Sequence, residues 1–117
     1  MSAAAYKVNI EKVAGKNKFY RRVLHTTKQT QLVVMSIGVG DRIPLERHPG
    51  TTQFIRVEKG RARVTVSGKK QILGNGDSIM IPAGATHEVL NYGKIPLKLY
   101  TLYSPPHHKP GALEKKK

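Results

Sequence analysis

The stretch GDRIPLERHPGTTQFIRVEKG, residues 40–60, decides how this chain is read. Glu46 and His48 stand two apart on an extended segment, so their side chains leave the same face and converge on one point. Pro49 to Thr52 is a turn-like stretch. Gln53 opens the next strand, where a hairpin return brings it back toward the pair. A second stretch, GDSIMIPAGATHEVLN at residues 76–91, ends in a strand that begins at His87, just after the turn residues Pro82 and Gly84.

Outward from these two stretches, short β-branched runs punctuated by Gly and Pro continue in both directions. There is no heptad, no solenoid repeat and no long 3.6-residue pattern. Strands are predicted over residues 19–26, 31–37, 53–58, 61–66, 69–73, 78–81, 87–91 and 97–103. Alternation is clearest over residues 61–66, where Ala62, Val64 and Val66 face one way and Arg61, Arg63 and Thr65 the other. Gly60, Gly68, Gly76 and Gly84 fall between the runs and supply the reversals. Short strands with such turns indicate an all-β chain, either a sandwich or a single jelly-roll barrel.

Taken together, the two stretches resemble the two motifs of the cupin superfamily. In the first, Gly40 is followed by Glu46, His48, Gln53 and Gly60 at the family's spacing; in the second, Gly76 is followed by Pro82, Gly84, His87 and Asn91. The resemblance implies a cupin β-barrel over residues 19–104, between a basic N-terminal segment (1–18), partly ordered, and a Pro- and Lys-rich tail (105–117). It also implies one divalent metal ion held by Glu46, His48, Gln53 and His87. Many metal-binding cupins carry His where this chain has Glu46 and Glu where it has Gln53, so the carboxylate has changed places. Two imidazoles, a carboxylate and an amide oxygen suit Fe, Mn, Zn, Ni or Co, and Glu46, His48 and His87 resemble a two-His, one-carboxylate triad. Gly60, Gly76, Pro82, Gly84 and Asn91 are read as turn and bulge residues without chemistry.

Composition narrows the function classes. The 117 residues include no Cys, which excludes disulfide frameworks, thiolate chemistry and Cys-rich zinc modules. No apolar run is long enough for a signal sequence or a membrane span, so a soluble cytoplasmic protein without a membrane partner is expected. The net charge of +14 favours anionic partners. Much of it sits at the ends: residues 1–28 hold seven Lys or Arg against Glu11, and residues 109–117 hold four against Glu114. Nucleic acid is the less favoured partner, since Trp is absent and no strip of basic and aromatic residues is evident.

Parity from Gln53 puts Ile55 and Val57 on the ligand side, and parity from His87 adds Val89, giving an aliphatic pocket for a small molecule with a metal-binding end. Glu46 and Tyr100 are the candidate catalytic residues. Tyr103 is considered beside Tyr100 as a hydrogen-bond donor, although packing is the default for an aromatic residue in a terminal strand. His107 and His108 would join the site only if the tail folds over the barrel mouth, and a solvated tail is expected instead. His25 has no partner in view. The leading functional reading is metal-dependent oxygenase, isomerase or lyase chemistry on a small molecule. A non-catalytic ligand- or metal-binding module is the alternative, and polyanion binding a third. Pairing of barrels through edge strands makes a homodimer the expected assembly.

Overall fold

Period-two alternation builds nearly the whole molecule. The computed structural model describes residues 4–117; the first three residues of the basic N-terminal segment lie outside the described residues. In chain order the elements are α1 (Ile10–Lys16), β1 (Arg21–Thr26), β2 (Gln31–Ile37), β3 (Arg42–Glu46), β4 (Thr52–Lys59) and β5 (Ala62–Val66). They are followed by β6 (Lys69–Leu73), β7 (Ser78–Ile81), β8 (His87–Asn91), β9 (Leu97–Ser104) and β10 (Leu113–Glu114).

Two antiparallel sheets face each other as a jelly-roll barrel. One has the order β10-β1-β2-β9-β4-β7 and the other β3-β8-β5-β6. Their inner faces carry the core: Val33, Met35, Ile37, Ile55, Val57, Val64, Val89, Leu97 and Leu99 are fully buried. The expected inward parity of Ile55, Val57 and Val89 is what the strands show, as is that of Ala62 and Val64. Asn91 satisfies the barrel's far end, donating through Nδ2 to the Ile37 and Ile95 carbonyls and accepting from the Gly93 N–H.

Three features differ from the sequence reading. The first is α1, a short helix started by Asn9, whose side chain accepts from the Lys12 N–H. It packs across β2, β9 and β4, and buries Ala14 and the outward-facing Val34. The second is β3, which contains Pro44. It lies at the edge of its sheet, where a residue without an N–H is tolerated.

The third is the tail. Its composition predicts a solvated segment, but β10 pairs with β1 and Gln31 grips the chain at residues 107 and 108. Backbone amides that find buried partners can hold a polar, Pro-rich segment that has no apolar face of its own.

Among the described residues, no helix is long and apolar enough to cross a membrane.

Gly60, at the turn from β4 to β5, has φ +100°, and a Cβ there would come within 3.2 Å of the Pro96 carbonyl oxygen. Gly68 has φ +81° but open space around it. Gly68→Ala should therefore cost about 1 kcal/mol, and Gly60→Ala roughly 2–3 kcal/mol because crowding adds to the backbone strain. Urea unfolding of both variants measures this, and equal costs would contradict it.

Candidate metal centre

Strand pairing brings the candidate ligands together. β3 and β8 are antiparallel with Ile43 opposite Val89 and Glu46 opposite His87, so three steps along β3 match two along β8. That bulge decides the site. Ile43 points inward, and strict alternation would send Glu46 outward; the extra residue at Pro44-Leu45 reverses the parity and turns Glu46 toward His87.

His48 follows in the β3–β4 link. Its carbonyl accepts from the Gly84 N–H at 2.9 Å, which ties the link to the turn that launches β8. Gly84, at φ +85°, is the left-handed residue of that turn.

Glu46 Oε1 lies 3.2 Å from His48 Nε2 and 3.3 Å from His87 Nε2. The candidate ligand atoms of the three residues all fall within 4.8 Å of one another. His87 is buried, and its Nδ1–H donates to the Ala85 carbonyl at 3.2 Å, which leaves Nε2 as the nitrogen that can act as a ligand. That nitrogen lies beside Oε1 and makes no hydrogen bond. Burial pushes the Glu46 carboxyl up, but the adjacent His87 and His48 outweigh this and hold it below the usual carboxylate range. Burial likewise keeps His48 below the usual imidazole value, against the pull of Glu46, so it is neutral near pH 7. A lone-pair nitrogen, a second neutral imidazole and an ionised carboxylate are the donor set that a divalent transition metal requires, and the residues fit such an ion.

Gln53 stands on the inner face of β4 beside Tyr103 and is almost fully buried. Its Nε2 donates to Thr101 Oγ1 at 3.1 Å, while Oε1 is buried without a hydrogen-bond partner. A buried carbonyl oxygen left in this state is an acceptor available to a cation or a donor.

Tyr100 is not brought to the site. It belongs to the outer face of β9, beside Phe54 and Arg56, because its parity is opposite to that of Leu99 and Thr101. Tyr103 occupies the inner position, its ring 5.9 Å from His48. Burial pushes its hydroxyl pKa far up, so it stays protonated as a donor. His25 finds its partner in Tyr6, stacked at 4.6 Å.

The tail brings two further imidazoles to the site. The His107 ring lies 4.1 Å from the His48 ring, and His108 meets Tyr103 edge-on at 5.0 Å. Fully buried Gln31 holds them there: its Oε1 accepts from the His107 and His108 N–H groups, and its Nε2 donates to the His108 carbonyl at 2.7 Å. Glu114 adds a second tie, with both carboxylate oxygens 2.9 Å from Arg21 Nη1. Gln31 was not singled out in the sequence, where a polar residue at the start of a strand carries no signal of its own.

Burial, with Arg21 and His107 nearby, lowers the His108 pKa to about 4 despite weaker opposing effects from Glu114 and Glu46. An undocked tail would titrate near the ordinary value of about 6.5. Protons therefore bind the undocked state first. Docking stability is fully present above about pH 6.5 and is lost as pH falls toward and through 4. Hydrogen-exchange protection of the His107 and His108 amides should fall over that window and become flatter with pH in His108→Asn. Constant protection from pH 7 to 4 would contradict the docked-tail electrostatics.

Comparison with known proteins agrees with the geometry. The cupin domain family Cupin_2 matches residues 33–103. The chain is 39% identical over 118 residues to YrkC of Bacillus subtilis, a match covering 96% of this chain and 63% of YrkC. It is 43% identical over 114 residues to L612 of Acanthamoeba polyphaga mimivirus, covering 93% of this chain and 71% of L612. The chain thus spans just under two thirds of the length of YrkC. The crystal structure of BH2720 from Bacillus halodurans superposes with a TM-score of 0.95 at 39% identity, covering 97% of this chain and 91% of that one. Motif spacing, the two-sheet barrel and these relatives together make this chain a member of the cupin superfamily, as a small domain of the Cupin_2 type.

Proposed function

We propose that this cupin holds one divalent ion of Fe, Mn, Zn, Ni or Co through Glu46, His48 and His87, with the Gln53 amide oxygen as a neutral fourth ligand, and acts there on a small molecule. The observation that carries this reading is the Glu46 carboxylate, placed 3.2 and 3.3 Å from two buried imidazole nitrogens, one of them without a hydrogen-bond partner. Bound there, such an ion would supply Lewis acidity to a carbonyl or enol oxygen, or bring a substrate and dioxygen together.

The chain's own residues do the rest. Glu46 lowers the charge of the centre, and the Ala85 carbonyl holds the His87 ring in one tautomer. Tyr103 offers a protonated hydroxyl from the inner wall, and the aliphatic residues Ile55, Val57 and Val89 exclude water. His107 stands at the rim, where a substrate proton can be taken up or released without displacing a ligand. Oxygenase chemistry and metal-assisted isomerase or lyase chemistry share these requirements, and the reading covers both.

Elemental analysis of tag-free protein tests it. Near one ion per chain is expected in wild type, with loss in His48→Ala and His87→Ala and retention in His107→Ala/His108→Ala. Absence of metal after reconstitution would sink the metalloprotein reading and leave a ligand-binding module.

Exposed Met80 on β7, beside Phe54 and Leu102, gives the outer face of the larger sheet an apolar patch, on which we place a second copy of the chain. Light scattering should then give twice the chain mass, and Met80→Lys should give a monomer. A monomeric wild type would refute the pairing.

A further inference from the structure

The charge of +14 plays no part in the metal centre, and five of its 21 cationic side chains gather in one cleft. A cleft of about 360 Å³ is lined by Lys18, Lys98, Lys115, Lys116 and Lys117, with Asp41 as the only acidic residue in its wall. Asp41 is already engaged, 2.8 Å from Lys117 Nζ. Among the described residues, the other four lysines take part in no ion pair.

Lys98 is the fixed point of the cleft. Its stem is half-buried, and its Nζ donates to Ser36 Oγ at 3.0 Å and to the Asn17 carbonyl, both neutral acceptors. Burial, together with the like charges of Lys59 and Lys18, lowers its pKa. Ammonium groups gathered in a concave wall with a single carboxylate side chain among them repel, and an anion bound between them reduces the repulsion.

The cleft is separate from the metal centre. Ser36 pairs with Lys98 near one end of the β2–β9 ladder, while Gln31 pairs with Tyr103 at the other. Five steps along the strand separate Lys98 from Tyr103, roughly 17 Å at the usual rise.

We propose that this lysine cleft is a second binding site, for a small phosphoryl-bearing molecule, at the end of the barrel opposite the metal centre. Its volume is that of a small-molecule site, whereas a nucleic-acid track needs an extended groove with exposed rings on which bases can stack. The Tyr20 ring in the cleft wall is buried. The Ser36 hydroxyl stands beside the Lys98 ammonium, so a phosphate drawn to the lysine also meets a neutral donor.

Calorimetric titration of the full chain with inorganic pyrophosphate tests the proposal. One saturable site is expected. Its affinity should fall about tenfold or more in Lys98→Gln, and similarly in Lys115→Gln/Lys116→Gln, whose exposed side chains leave the fold intact if Lys98→Gln does not. Lys69→Gln/Lys70→Gln, on exposed β6, removes the same charge elsewhere and should change affinity less than about twofold. His87→Ala should bind pyrophosphate as wild type does, so this result stands apart from the fate of the metal reading. Four outcomes would overturn the proposal: no binding, equal weakening in the β6 control, loss in His87→Ala with retention in Lys98→Gln, or binding of single-stranded oligonucleotide but not of pyrophosphate.

Discussion

One extra residue in β3 governs the mouth of this barrel. Without the bulge at Pro44-Leu45, Glu46 would face solvent, and His87 would sit on the inner wall with no carboxylate beside it. With it, a carboxylate is carried beside two buried imidazoles, and the three together form the donor set on which the proposed metal ion rests. The edge position of β3 is what makes the bulge tolerable, since Pro44 has no inter-strand donor to lose on the open side. The local departure from ideal strand geometry and the assembly of the ligand set are the same event.

The tail extends this arrangement. Gln31 and Arg21 lie on the two strands nearest the closing segment, and both give it side-chain hydrogen bonds: Gln31 holds residues 107 and 108 at the barrel mouth, and Arg21 holds Glu114 farther along the sheet. His107 and His108 then complete an aromatic cluster with His48 and Tyr103. The same tail ends among the lysines of the cleft at the other end of the barrel. One short segment thus borders both the candidate metal centre and the lysine cleft.

Much of this was legible in the sequence because it is periodic or motif-bound. The eight predicted strands all occur, and the inward parity of Ile55, Val57 and Val89 follows from counting by two from Gln53 and His87. Glu46, His48 and His87 were found by spacing, and the structure brings them together. What escaped was non-local or irregular. β3 escaped because Pro44 interrupts its pattern, and α1 because a seven-residue helix is too short to show a periodicity. The sequence offers Tyr100 and Tyr103 alike as candidates for the pocket, and only the register of β9 between β2 and β4 shows that Tyr100 faces out and Tyr103 faces in. Docking of the tail rests on hydrogen bonds between residues 76 and 77 positions apart, a distance at which composition says only that prolines and lysines prefer water.

The central claim is that Glu46, His48 and His87 share one metal ion. Crystallography of metal-reconstituted protein, with anomalous data collected at the metal's absorption edge, tests it most directly. The account predicts a single strong peak per chain, bonded to His48 Nε2, His87 Nε2 and a Glu46 carboxylate oxygen. A peak held by His107 and His108 instead, or none at the barrel mouth, would contradict it.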